Sequence, residues 1–321
     1  MDIENMTLVA EFIILGLSDN PQLQVPLFLV FLVIYIITLL GNLVIITVIY
    51  ADPRLHTPMY FFLCSLSLTD ICCTSTVIPK LLEIFLSGNK TISYAGCMVQ
   101  LYFFLGFTGI EAFLLTAMAY DRYAAVCHPL HYSVIMNQRA CVLLTAASWI
   151  IGFLPSETIT ASVTRLSFCG SNKVNHFFCE LMPLLKLSCT DTAGPETILF
   201  VEIALLSVPA FLVTLISYTY IISAILRIRS AEGKRKAFNT CSSHLIVISI
   251  YYLSLFSIYM SPSSTYSQEQ GKILSVVYTS VTPMLNPIIY SLRNKEVKDA
   301  LRKVIGKLLK KPHDVQIKAG Y

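Results

Sequence analysis

The chain has 321 residues and a formal net charge of +4, with 55% hydrophobic and 13% charged residues. A soluble globular domain carries roughly a quarter of its residues as charges, so this balance, with a mean hydropathy of +0.68 and long uncharged runs, excludes one. About 20 apolar residues cross the ~30 Å hydrocarbon layer of a bilayer. The expected class is therefore an all-α membrane protein, a seven-transmembrane helix bundle with a short amphipathic C-terminal helix.

Met1–Pro26 is acidic (Asp2, Glu4, Glu11, Asp19) and holds no Lys or Arg. Asn5-Met6-Thr7 is a glycosylation sequon if this end lies outside the cell. No basic stretch, short apolar run and small-residue cleavage site open the chain, so the first hydrophobic segment is expected to be the insertion signal. Seven spans follow, at Leu23–Ile49, Met59–Ile84, Cys97–Tyr120, Cys141–Val163, Ile198–Leu226, Ala237–Met260 and Lys272–Leu292. They give one domain, with residues 1–22 outside, the bundle at 23–292 and a tail at 293–321.

Seven spans put the termini on opposite sides, and basic residues concentrate on the cytoplasmic one. With the N-terminus outside, the inner segments hold Arg54, Arg122, Arg139, five residues from Arg227 to Lys236 and nine from Arg293 onward. The outer side keeps Lys80, Lys90, Arg165, Lys173, Lys186 and Lys272. The N-terminus is thus expected outside and the C-terminus inside, in a plasma-membrane protein. In the tail, Val297, Leu301, Val304, Ile305, Leu308 and Leu309 recur at helical spacing between lysines and arginines. That pattern predicts an amphipathic helix against inner-leaflet lipids.

Ionisable residues inside spans are costly and mark function. Arg122 at the inner end of the third span, beside Asp121, is such a residue. An interfacial ion pair at an ordinary helix end is the plainer alternative. Asp70 and Glu111 are acids within the second and third spans, and two facing carboxylates suit a hard cation such as Na⁺. The plainer alternative is one protonated, hydrogen-bonded acid. Pro283 and Pro287 break the seventh span beside Asn286 and free backbone carbonyls. Cys97, Cys169, Cys179 and Cys189 lie on the outer side, where disulfides persist, and four cysteines allow three pairings. The loop Thr164–Pro195 is long for a connection and reads as a stapled lid. Within it, His176 and Glu180 could hold a metal, although a surface histidine is the expectation.

Several motifs together resemble one family. They are Gly41-Asn42, Leu55–Leu63 (LHTPMYFFL), Leu66–Asp70 (LSLTD), Met118–Leu130 (MAYDRYAAVCHPL), Ser217-Tyr218, Lys236–His244 (KAFNTCSSH) and Pro283–Tyr290 (PMLNPIIY). In this order they resemble the odorant receptors, within the rhodopsin-like (class A) G-protein-coupled receptors. The sixth span offers Tyr251-Tyr252 rather than the Trp and Pro of most other rhodopsin-like receptors. Ala124-Ala125-Val126 and Asn239 depart from the commoner residues, the latter removing a familiar hydroxyl.

The resemblance implies a receptor rather than an enzyme or a nucleic-acid binder. It implies disulfides Cys97–Cys179 and Cys169–Cys189, a cation site at Asp70 and Glu111, and no other cofactor. Asp121, Arg122, Tyr123, Tyr218, His244, Asn286, Pro287 and Tyr290 would form the inner switch for a Gs-type (olfactory) heterotrimeric G protein that raises cyclic AMP. The small-molecule odorant is expected in the outer half of the bundle. Helical faces place Leu101, Phe104, Leu105, Thr108 and Gly109 there from the third span, and the family places Leu199, Glu202, Ile203 and Leu206 from the fifth. Tyr252, Leu255 and Tyr259 share one face of the sixth, with Val276 and Thr279 from the seventh. Glu202 as an anchor would favour an amine or hydroxyl-bearing ligand; otherwise it reaches headgroups or lid lysines. The competing class is a membrane transporter using its intramembrane acids, which no internal halving of the chain supports.

Overall fold

A computed structural model describes residues 9–169, 171–259, 268–293 and 295–310. Asn5 and its sequon lie outside these residues, and of Tyr259 only the backbone is described. Among the described residues seven helices are long and apolar enough to span a membrane. They are α1 (Pro21–Ala51), α2 (Pro58–Ser87), α3 (Tyr94–Cys127), α4 (Gln138–Val163), α5 (Ala193–Arg227), α6 (Ala231–Tyr259) and α7, residues 268–293. A tail helix, α8 (Lys295–Lys310), completes the set.

Local chemistry fixes where these helices start. Asn20 accepts from the Gln22 N–H ahead of Pro21 at α1. Ser93 and Asn137 accept from Gly96 and Ala140 at α3 and α4. Each cap satisfies an orphan donor of the first turn. On α8, Val297 and Ala300 are buried while Arg302 and Ile305 stay exposed. The Tyr60 hydroxyl donates to Glu296 at 2.7 Å, tying the start of α8 to α2.

The helices pack closely where side chains are small. A Cβ on Gly109 of α3 would lie 3.0 Å from the Gly152 Cα of α4, and one on Gly152 would lie 2.7 Å from the Ile110 nitrogen. A Cβ on Gly41 of α1 would meet the Pro287 ring of α7 at 2.8 Å. Small residues at such crossings let backbones approach, which is how membrane helices gain packing without a hydrophobic drive between them.

Among the described residues two π turns interrupt the α geometry of the spans. Ile203–Ser207 in α5 and Val277–Val281 in α7 are single π turns, a feature common at functional sites.

The end of the bundle that carries the N-terminal segment, its outer end in the expected orientation, holds an element that no sequence pattern announced. β1 (Glu11–Ile14) pairs antiparallel with β2 (Thr91–Ser93) and parallel with β3 (Lys173–Val174), in the order β2-β1-β3. Phe12 and Ile14 of β1 are fully buried in an outer cluster with Cys97, Val174 and Cys179. The segment before α1 is therefore a packed strand of the lid.

Candidate functional site

The lid enters the bundle. Cys97 joins Cys179 and Cys169 joins Cys189. Gln100 of α3 accepts from the Cys179 N–H at 2.8 Å and donates to the Thr76 carbonyl of α2 at 2.8 Å. This seats Phe177 and Phe178 where neither is exposed to solvent. Phe178 meets Phe104 edge-on at 4.7 Å, and Phe104 meets Tyr278 at 5.8 Å. Glu180 follows, buried, within 3.4 Å of the hydroxyls of Ser275 and Tyr278 on α7.

His176 is not at the surface: it is 3% exposed. Its Nε2 lies 2.9 Å from Glu180 Oε2, near enough for an ion pair if the ring is protonated but out of line for a hydrogen bond. Among the described residues no cluster of three His, Cys, Asp or Glu could hold a metal.

The lid fills the α7 side of the bundle. A cavity of about 100 Å³ opens between α3, α4, α5 and α6. Of the residues expected there, Leu105, Thr108, Gly109, Leu199, Glu202, Ile203, Leu206 and Leu255 border it. Leu101 and Phe104 do not, since Leu101 sits in the outer cluster and Phe104 packs on the lid. Val276 packs against the main core and Thr279 donates to the Ser275 carbonyl at 2.7 Å, so neither reaches the cavity. Tyr252 turns toward Phe211, with ring centroids 5.0 Å apart, and its neighbour Tyr251 takes the cavity position.

The fourth helix supplies the wall that helical-face reasoning missed: Ile151, Gly152, Pro155, Ser156 and Ile159. Gly106, Gly109 and Gly152 were the available signal, since glycines in spans mark where two helices touch. Ile203, Leu206 and Ser207 all belong to the π turn of α5, whose wide turn shapes the same wall. Glu202, just before it, accepts from the Thr158 hydroxyl of α4 at 3.3 Å.

At the inner floor, Arg122 folds back on Asp121 with Nη2–Oδ2 at 2.8 Å and Nε–Oδ2 at 3.1 Å. Asp121 is fully buried, and its other oxygen accepts from Tyr132 at 2.7 Å. Burial, with the Asp121 charge beside it, pushes the Tyr132 phenol above its ordinary range, so it stays a donor. Tyr218 and His244 share a 2.6 Å hydrogen bond between α5 and α6. Tyr290 lies 6.4 Å from His244, ring to ring, and its hydroxyl has no hydrogen-bond partner among the described residues. Tyr123 instead pairs with His128 at 3.0 Å, away from this group.

Midway through the bundle, Asn286 donates to Asp70 at 2.9 Å. The remaining oxygens Asp70 Oδ1, Glu111 Oε1 and Asn286 Oδ1 are buried without a hydrogen-bond partner among the described residues.

The olfactory receptor family profile matches residues 31–308. The chain belongs to the olfactory receptor family. Olfactory receptor 5B21 of Homo sapiens is 53% identical over 305 residues, covering 95% of this chain and 98% of its own length. Olfactory receptor 5M5 of Mus musculus is 53% identical over 301 residues, covering 94% and 95%. Olfactory receptor 1G1 of Gorilla gorilla gorilla is 51% identical over 305 residues, covering 95% and 97%. As an olfactory receptor this multi-pass membrane protein is a G-protein-coupled receptor for odorants, not an enzyme, and the transporter alternative falls away.

Proposed function

We propose that this olfactory receptor binds a compact, mostly apolar odorant in the cavity between α3, α4, α5 and α6, with its N-terminus outside and its C-terminus in the cytoplasm. Occupancy shifts the balance between two arrangements of the inner floor and recruits a Gs-type G protein. The observation that carries this is the shared position of α6. Its Tyr251 borders the cavity and donates to the Thr108 carbonyl of α3 at 2.6 Å. Two turns inward on the same helix, His244 bonds Tyr218 at the floor. A ligand shifts such a balance only by binding the two arrangements unequally; one that pushes Tyr251 off Thr108 does so.

The seventeen basic residues on the inner segments, against six outside, support the orientation. Asp70 and Glu111, with Asn286 beside them, fit a Na⁺ ion by donor chemistry, since their unpartnered buried oxygens are hard ligands. The ion would supply a positive charge there; Asp70 and Asn286 would hold α2 and α7 together around it.

The test is a cyclic-AMP reporter in cells expressing the chain, screened with alcohols, esters, aldehydes, acids and amines. Leu206→Trp, which fills the cavity, should abolish the response at normal surface expression. An undiminished response in that variant would place the ligand elsewhere.

A further inference from the structure

The cavity's chemistry narrows what it accepts. This step rests on the ligand occupying that cavity and goes beyond it in naming the ligand's class. The walls are mainly aliphatic and aromatic, and two of the hydroxyls on them are already committed. Ser156 donates to the Phe153 carbonyl at 2.7 Å and Tyr251 to the Thr108 carbonyl at 2.6 Å. Glu202 is different. Its Oε1 lies 3.3 Å from the Thr158 hydroxyl, which shares its one hydrogen between Glu202 and the Pro155 carbonyl at 2.8 Å, and among the described residues no cationic side chain lies within ion-pair distance of it.

A carboxylate set in the wall of a membrane-embedded cavity needs a counter-charge or several donors. One threonine supplies neither. A neutral alcohol would add a single hydrogen bond to the carboxylate, an ammonium group a hydrogen bond together with the attraction of opposite charges, and a carboxylate ligand would be repelled. At about 100 Å³ the space is of the order of the ~150 Å³ apolar cavity that accepts benzene, so the body of the ligand is a single ring or a short chain.

We propose that the cavity takes a compact amine, its ammonium paired with Glu202 and its hydrocarbon body against Leu105, Leu199 and Leu255. Glu202 is the specificity-determining group. Thr158 is a positioning residue that holds Oε1 and leaves Oε2 to the ligand.

Detergent-purified full-length receptor is heated at neutral pH with cyclohexylamine, cyclohexanol or cyclohexanecarboxylate, three probes of one shape. Because a ligand that binds the folded state raises Tm with concentration, titration gives an apparent affinity without requiring coupling. Cyclohexylamine should bind tightest and the carboxylate weakest. Glu202→Gln, which keeps an acceptor oxygen but loses the charge, should weaken cyclohexylamine about tenfold and cyclohexanol by a clearly smaller factor. Thr158→Val should lower the amine-to-alcohol preference by a smaller factor, which a purely structural role would not do. The amine assignment is overturned if cyclohexylamine gives no shift, if it is no better than cyclohexanol, or if both variants leave its affinity intact. Leu206→Trp separates the two levels. If it erases the shifts while the amine is never preferred, the cavity stands and the amine assignment falls; if the shifts persist, the cavity assignment itself falls.

Discussion

The outer and inner ends of the bundle are built on opposite principles. Outside, two disulfides, a three-stranded sheet and the Gln100 clamp hold one short segment of lid from several directions. Inside, the floor rests on the Asp121–Arg122–Tyr132 cluster and the Tyr218–His244 bond. Around and above that floor lie several buried polar atoms without a hydrogen-bond partner among the described residues, including Glu111 Oε1, His244 Nε2, Asn286 Oδ1 and Tyr290 Oη. In the lid the same holds for the ring nitrogens of His176, which the disulfide and sheet hold in place regardless. Each such atom forfeits ~1–3 kcal/mol that a partner would recover. The outer end therefore presents a fixed shape to the ligand. The inner end keeps open hydrogen-bonding capacity that a second arrangement could fill, as a two-state element requires. Substitutions outside should then cost folding, and substitutions inside should move the balance of states.

The largest effect is expected at the lid. Cys97→Ser opens a cross-link spanning 82 residues and should cost ~2–5 kcal/mol, seen as loss of surface receptor in flow cytometry. Cys169→Ser, with a separation of 20, should cost less. Equal losses from the two would mean that the lid folds as one unit regardless of loop length. Next comes Gly152→Ala, whose added methyl must displace the Ile110 side chain and backbone. It should lower stability by ~1–3 kcal/mol and shift the Tm of purified receptor accordingly. An unchanged Tm would show that α3 and α4 can part without cost.

At the floor the sign changes. Asp121→Asn removes the negative charge that holds Arg122, whose side chain is 17% exposed and so not stranded without water. Folding should be little affected, while ligand-free signalling rises about tenfold, the equivalent of ~1.4 kcal/mol in the balance of states. Basal signalling at the wild-type level, with surface expression intact, would show that this pair does not restrain the floor.

Much of this arrangement was legible in the chain, for identifiable reasons. The spans follow from hydropathy alone, because a bilayer forces each backbone to close its own hydrogen bonds. The α8 face follows in part from helical periodicity: Val297 is buried, Leu301 and Val304 pack against the core, and Ile305 stays exposed. Tyr218 and His244 came from family motifs, and the structure puts them in contact, though it keeps Arg122 on Asp121 rather than on Tyr218. The cavity wall was half visible. Periodicity finds the inward face of one helix, but which inward residues meet empty space depends on what else fills the bundle. Phe104 and Thr279 do not border the cavity for that reason, since the lid occupies their side. β1 was invisible because a four-residue strand takes its partners from loops far off in sequence, and Glu11-Phe12-Ile13-Ile14 carries no signal that it will pair.

The smallest effect is the most discriminating. Tyr290 is buried at the floor, and its hydroxyl is unpartnered among the described residues, whereas the Tyr218 hydroxyl is bonded to His244 at 2.6 Å. Deleting a bonded phenol leaves its partner unsatisfied and should cost ~1–3 kcal/mol; deleting an unbonded one removes only a desolvated group. Tyr218→Phe should therefore lower Tm, and Tyr290→Phe should leave it unchanged or raise it by less than the equivalent of ~1 kcal/mol. Signalling supplies the other half of the test. If the Tyr290 hydroxyl finds its partner only when the floor opens, Tyr290→Phe penalises the open arrangement alone. The maximal response to a saturating odorant should then fall while stability does not. Were Tyr290→Phe to lower Tm as much as Tyr218→Phe, the hydroxyl would already be satisfied in the resting receptor. The floor would then hold no such reserve at this position, and the contrast with the lid would have to rest on Asp121 and Arg122 alone.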